Sequence, residues 1–132
     1  MPKRINPAIS EAESQVMEHL WRDAPQGSEE LAAALQPATD WHENTVRTLL
    51  NRLIRKGAVR AEREGRRYLY SPVLTREQWQ AHESRSLLDR VFGGKVAPLL
   101  VHFSRNEKLS AKDVAELRKL VDQLEKKGRC HD

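Results

Sequence analysis

Seven side chains on one stretch of this chain have the types and spacing to do recognition chemistry. Asn44, Thr45, Arg47, Thr48, Asn51, Arg52 and Arg55 fall on a single face if Asp40 to Gly57 forms one helix, and beyond its first residue, Asp40, Glu43 is the only acid inside it. Cations interleaved with short side chains that donate and accept hydrogen bonds suit a DNA major groove. The ordinary alternative is a solvated helix surface that happens to be basic. Solvated faces, however, draw support from Glu–Lys pairs at i,i+4, which this face lacks, and Asn and Thr are mediocre helix formers that a structural face has little reason to collect. Bond-making chemistry has no comparable support. No nucleophile–base pair, paired carboxylates or phosphate loop has usable spacing, so neither a catalytic residue, a cofactor nor a small-molecule substrate is assigned.

Metal chemistry is equally thin. His19, His42, His82, His102 and His131 show no HxxxH or HExxH spacing, and Cys130 is the single cysteine. One cysteine excludes an intrachain disulfide and a multi-cysteine zinc site; Cys130 beside His131 offers weak binding at most, and no metal ligand is assigned.

A chain of 132 residues, 39% hydrophobic and 32% charged, fits one domain or a small domain with an association segment. No apolar run has the length of a membrane span, and the opening Met-Pro-Lys-Arg-Ile-Asn lacks a signal-peptide core, so a soluble, cytoplasmic protein is expected. The net charge of +4 permits a nucleic-acid partner without requiring one. Its distribution says more: eight cations face three acids between His42 and Pro72, whereas three cations face seven acids between Met1 and Trp41. The positive field therefore belongs to one local face.

The elements that must hold this face can be read in order. Ser10 with Glu13 forms a capping box for a first helix whose buried side is Val16, Met17, Leu20 and Trp21. After a break at Asp23-Ala24-Pro25-Gln26-Gly27, Ser28 caps a short second helix with Leu31, Ala34 and Leu35 facing inward and Pro37 ending it. Val46, Leu49, Leu50, Leu53 and Ile54 give the following basic helix an apolar stripe, which completes a helix-turn-helix candidate. From Ala58 the period shortens to two, and alternation on either side of Glu64-Gly65-Arg66 predicts a β-hairpin that carries Arg66, Arg67 and Tyr68 as a wing. Plain edge-strand charge is the competing account of those arginines.

Three further helices follow. Thr75 and Gln78 open the first, with Trp79, Leu87, Leu88, Val91 and Phe92 as its stripe until Gly93-Gly94; Val96, Leu99, Leu100 and Phe103 mark the second; Ser110 caps the third, with Val114, Leu117, Val121 and Leu124 at steps of three and four. So much apolar surface exceeds what a segment this short can bury alone, so a homodimer interface built from these residues, Leu87 to Leu124, is preferred over packing back onto the first domain. The predicted fold is mainly α with a small β-hairpin: a winged helix-turn-helix over residues 1–72, followed by a three-helix dimerisation segment over residues 73–132.

Ile9-Ser10-x-Ala12-Glu13-x-x-Val16-Met17-x-x-x-Trp21 and Asp40-Trp41-x-x-x-Thr45-Val46-Arg47-Thr48-Leu49-x-x-Arg52-Leu53-x-x-Lys56-Gly57 resemble the penicillinase and methicillin-resistance repressors. The resemblance continues through Arg67-Tyr68-x-Tyr70-Ser71 and Leu109-Ser110 to Glu116-Leu117-Arg118. It implies a homodimeric winged-helix repressor on double-stranded, dyad-symmetric operators with TACA/TGTA-like half-sites, controlling β-lactamase or other resistance genes. By position, Asn44, Thr45 and Thr48 would approach base edges, while Ser28, Arg47, Arg52 and Arg55 would engage phosphate. Asn44 stands where relatives often carry Lys, and its amide would favour adenine over guanine. In the penicillinase branch a membrane sensor triggers cleavage at an Asn-Phe bond in the dimerisation segment; the matching pair here is His102-Phe103. The copper-responsive branch uses several C-terminal cysteines, of which this chain has Cys130 alone. A metal-responsive repressor and a winged-helix protein-interaction module are the two competing classes.

Overall fold

The computed structural model describes residues 4–106 and 109–130, with elements α1 (Glu11–Arg22), α2 (Ser28–Thr39), α3 (Glu43–Arg55), β1 (Val59–Glu64), β2 (Arg67–Pro72), α4 (Arg76–Val91), α5 (Val96–Asn106) and α6 (Ala111–Cys130). Three helices followed by an antiparallel hairpin make a winged helix-turn-helix, and the mainly α class is as expected. The chain divides into two compact units, the first ending at Arg85 and the second starting at Ser86.

α1 begins where its sequence says it should. The Ser10 hydroxyl accepts from the Glu13 N–H at 3.1 Å, and the Ser10 N–H donates to Glu13 Oε1 at 2.7 Å. Val16, Met17 and Leu20 are buried against Leu31, Leu35 and the α3 stripe of Val46, Leu49, Leu50 and Leu53, with Ile54 at the margin. Each such aliphatic side chain contributes about 1.5–3 kcal/mol when fully removed from water. That burial fixes α3 by its apolar side and leaves the opposite face free.

Several expectations need correction. The cap of α2 is Gly27, not Ser28, which is the first helical residue and leaves its hydroxyl for other partners. Ala32 rather than Ala34 is buried in α2. Pro37 does not end that helix: it continues to Thr39, whose hydroxyl donates to the Leu35 carbonyl at 2.8 Å. A proline near the last turn costs a hydrogen bond without blocking the two residues beyond it. Nor is Asp40 to Gly57 one helix. Asp40 takes a left-handed conformation (φ 63°) that closes α2, and α3 starts at Glu43 after a cap at His42. Asp tolerates that conformation better than most residues, which keeps the turn short.

At the other end of α3, Gly57 has φ +76°, and a Cβ there would lie 3.0 Å from the Arg4 carbonyl oxygen. The segment before α1 is thus laid against the end of α3, held by the Asn6 N–H on the Lys56 carbonyl at 2.7 Å. The hairpin turns at Gly65 (φ +64°), the first of two loop residues between Glu64 and its partner Arg67, as tight hairpin turns require. Gln26, placed in the expected break, instead pairs through its backbone with Tyr70, N–H to carbonyl at 3.1 and 2.8 Å in the two directions, as an isolated bridge to β2.

α4 opens on the expected Thr75–Gln78 capping box, and its first turns belong to the first unit. Trp79 lies 5.4 Å from Trp21, whose indole N–H donates to the Leu74 carbonyl at 2.7 Å, and Arg76 sits over the Trp21 ring while pairing with Glu18. In the second unit Ser110 caps α6 by accepting from the Asp113 N–H at 3.0 Å. No side chain from Ser86 onward is buried among the described residues. No described helix is long and apolar enough to cross a membrane.

Candidate nucleic-acid interface

Burial of Val46, Leu49, Leu50 and Leu53 turns the rest of α3 outward, so Asn44, Thr45, Arg47, Thr48, Asn51, Arg52 and Arg55 are all exposed on it. Their hydrogen-bonding capacity is unevenly spent. The Thr48 hydroxyl donates to the Asn44 carbonyl at 3.0 Å, a local bond that leaves its acceptor lone pairs and methyl group outward. Among the described residues Arg52 and Arg55 have no ion-pair partner, and neither has Arg66 in the hairpin turn. These three guanidiniums are available to an anion.

Arg47 and Arg67 are differently placed. Arg47 Nη2 is 2.6 Å from Glu43 Oε1, one turn earlier on α3, and its Nε donates to the Ser28 hydroxyl at 3.4 Å. The α3 face therefore does carry one acid–base pair at i,i+4, with Arg in place of Lys. Arg67, on β2, pairs with Glu30 in the first turn of α2. The wing is thereby tied to α2, and the pair lies beside Gly27, where a Cβ would meet Glu30 Oε1 at 3.4 Å and Arg67 Nη1 at 3.5 Å, ordinary contact distances. Ser28, Arg47, Arg66, Arg67, Tyr68 and Tyr70 line one open recess between α2, α3 and the hairpin. Tyr68 is 51% exposed at its rim. Burial pushes the Tyr70 hydroxyl above its ordinary range, against the opposing pull of the Arg47 guanidinium, so it stays a neutral donor.

The sequence thus points at residues that the fold does gather: Ser28, Arg47, Arg66, Arg67 and Tyr68 around the recess, and Asn44, Thr45, Thr48, Arg52 and Arg55 along the adjoining helix. A second basic recess combines Arg52, Arg55 and Lys56 with Arg4, which sequence reasoning passed over. Lys56 is not free there. Its Nζ lies 2.7 Å from Glu13 Oε1 and donates to the Ala8 carbonyl at 2.9 Å. Glu13, 1% exposed, so links the α1 capping box to the end of α3. Burial alone would raise its carboxyl, but hydrogen bonds from Lys56 and Ser10 prevail and hold it below the usual carboxylate value.

In the second unit the dimerisation candidates fall on α4, α5 and α6. Leu88, Phe92, Leu99 and Leu117 are half-buried; Leu87, Val91, Val96, Leu100, Phe103, Val114, Val121 and Leu124 are exposed. Leu100, Phe103, Leu109, Leu117 and Leu120 line an apolar groove between α5 and α6. His102 and Phe103 lie within α5, both exposed, with their rings edge to face at 6.2 Å. The Cys130 side chain and His131 lie outside the described residues, and no group of three or more His, Cys, Asp or Glu among the described residues could hold a metal ion.

Residues 9–123 match the penicillinase repressor family. The chain is 31% identical to the penicillinase repressor of Bacillus licheniformis over 117 residues, covering 89% of this chain and 91% of that protein. It is 28% identical to the penicillinase repressor of Staphylococcus aureus, covering 90% and 94% respectively. Among solved structures, the solution structure of the DNA-binding domain of the repressor BlaI superposes with a TM-score of 0.52 at 33% identity, over 58% of this chain and 93% of that one.

Proposed function

The chain belongs to the penicillinase repressor family, and from that premise we propose that it is a cytoplasmic transcriptional repressor, a homodimer that binds palindromic operator DNA and blocks access of polymerase. Residues 1–72 would contact DNA and residues 73–132 would carry the dimer contacts. The observation that carries this reading is the outward face of α3, where Asn44, Thr45 and Thr48 stand between unpaired Arg52 and Arg55 and the arginine-lined recess. Hydroxyls and amides there read base edges, and the guanidiniums, with Ser28 at the start of α2, fix register on phosphate. Arg66, Arg67 and Tyr68 would extend the contact along the adjoining backbone. Asn44 supplies a donor and an acceptor side by side, which pair with adenine.

The operators would carry TACA/TGTA-like half-sites and control resistance genes. Relief would come from a membrane sensor and a cut between His102 and Phe103; both side chains are exposed, and α5 would have to open locally to present the bond.

Fluorescence anisotropy with a TACA/TGTA palindrome and a scramble of equal length, at about 150 mM salt, tests the reading. A repressor should prefer the palindrome by about 1,000-fold or more. Equal affinity for the two duplexes would refute sequence-specific repression.

A further inference from the structure

We propose that Glu30 and Glu43 are competitors for phosphate built into the reading face: each holds one arginine in the free protein and yields it when DNA binds. The inference rests on the DNA-binding reading above. Two ion pairs sit at the recess, Glu30–Arg67 between α2 and the hairpin and Glu43–Arg47 within α3. In each, the acid occupies the first turn of a helix, where a carboxylate is favoured by the unpaired N–H groups and stays in place after its partner leaves.

Exposure separates these pairs from the structural one. Arg67 and Glu30 have side chains 60% and 45% exposed, and Arg47 and Glu43 55% and 29%, so water can reach each carboxylate when phosphate takes its guanidinium. Glu13, paired with Lys56, has a side chain only 2% exposed and offers no such exchange. An exposed pair is worth little and breaks readily, and a charge-assisted, bidentate bond from Arg to phosphate can replace it. The Glu30–Arg67 pair also occupies the space directly over Gly27, at the start of α2, where an approaching phosphate would meet it. Arg52, Arg55 and Arg66 bind phosphate without competition, while Arg47 and Arg67 bind it only by exchange. The acids therefore lower the affinity for every duplex and leave the discrimination between sequences to the base-facing side chains.

The test is a double-mutant cycle on the full chain, with anisotropy read on the palindrome and the scramble. Glu30→Gln keeps the shape and removes the competing charge, and should tighten both duplexes by a similar factor, about threefold to fivefold. In an Arg67→Ala background the same substitution should gain nothing, because no guanidinium remains to release. Glu43→Gln with Arg47→Ala repeats the cycle on an independent pair. A gain that persists without the arginine would mean that the acids merely repel DNA at a distance, and would overturn the exchange, as would no gain at all. Wild-type protein that fails to prefer the palindrome would defeat the repressor reading instead, independently of whether the two cycles show coupling.

Discussion

Glu13→Gln tests how the reading helix is held. Glu13 Oε1 accepts from the Ser10 N–H and from Lys56 Nζ, both at 2.7 Å, in a site 1% exposed. An amide oxygen can keep the Ser10 bond, so the principal loss is the charged partner of Lys56. Hydrogen bonds to charged groups contribute about 1.5–3 kcal/mol, and Lys56, 27% exposed, recovers part of this from water. A loss of about 1.5–2 kcal/mol at neutral pH is expected, or about 10 °C in Tm for a unit of this size. Glu13→Ala adds the lost cap, about 1 kcal/mol more. Trp21, Trp41 and Trp79 are the only tryptophans and all precede Arg85, so tryptophan fluorescence during thermal unfolding reports the first unit. The pH dependence supplies the decisive control. Folding lowers the Glu13 carboxyl, so the unfolded chain takes up the proton first as pH falls; the contribution is complete above the unfolded pKa and disappears as pH passes below the folded one. The gap between wild type and Glu13→Gln should therefore narrow as pH falls below the unfolded carboxyl's value and close once pH lies below the lowered folded one. No gap at neutral pH, or one that persists undiminished in acid, would refute the assignment of stability to the ionised pair.

Other substitutions probe other parts. Gly57→Ala should destabilise the first unit by about 1–2 kcal/mol or more in denaturant unfolding, because its φ of +76° is strained for any side chain and the new Cβ would press on the Arg4 carbonyl. Arg52→Ala should weaken palindrome and scramble alike and flatten the salt slope by about 0.9, whereas Thr48→Ala should act at one base pair. For Thr48 the expected cost is about 1 kcal/mol, the low end for a base contact, since its hydroxyl hydrogen is already given to the Asn44 carbonyl. Leu117→Asp should leave the protein monomeric in sedimentation at micromolar concentration; a variant still dimeric there would place the interface elsewhere.

What could be read from the sequence was whatever depends on near neighbours. The stripe from Val46 to Leu53 predicted its own burial through helical spacing, the Ser10 and Thr75 caps followed from residues three apart, and Ser110 was readable as a cap in its own right. Gly65 marked the hairpin because only a positive φ closes so short a loop. The Glu43–Arg47 pair was legible too, at i,i+4, had Arg been counted beside Lys. Contacts remote in sequence carried no such signal. Nothing in Asp23 to Gly27 announces that Gln26 will pair with Tyr70, since backbone pairing is indifferent to side-chain type. Glu13 was readable as a cap and not as the buried partner of Lys56, and no near neighbour of Glu30 announces Arg67 as its partner. Pro37 misled because a breaker's force depends on how much helix remains after it.

The two units differ in where their stability comes from, and that difference bears on function. The first buries Met17, Leu20, Leu31, Leu50, Leu53 and Leu74 almost completely, a core sufficient to fix α3 and the hairpin relative to each other. The second holds Leu88, Phe92, Leu99 and Leu117 only half from water and leaves Val91 and Leu124 each 58% exposed. Hydrophobic gain of that size does not offset the entropy of ordering α5 and α6, so the proposed partner copy would complete the second unit as well as join two reading heads. Folding of the second unit and the proposed dimerisation would then be one equilibrium, governed by concentration. Opening of α5 around His102 and Phe103 would belong to the same equilibrium, because a helix covered by a partner opens less often than one left bare. On this account a cut there would do more than shorten the chain. It would remove the segment whose burial holds the dimer together, leaving each first unit folded and its phosphate contacts intact, but with half the protein–DNA contacts that the palindrome offers.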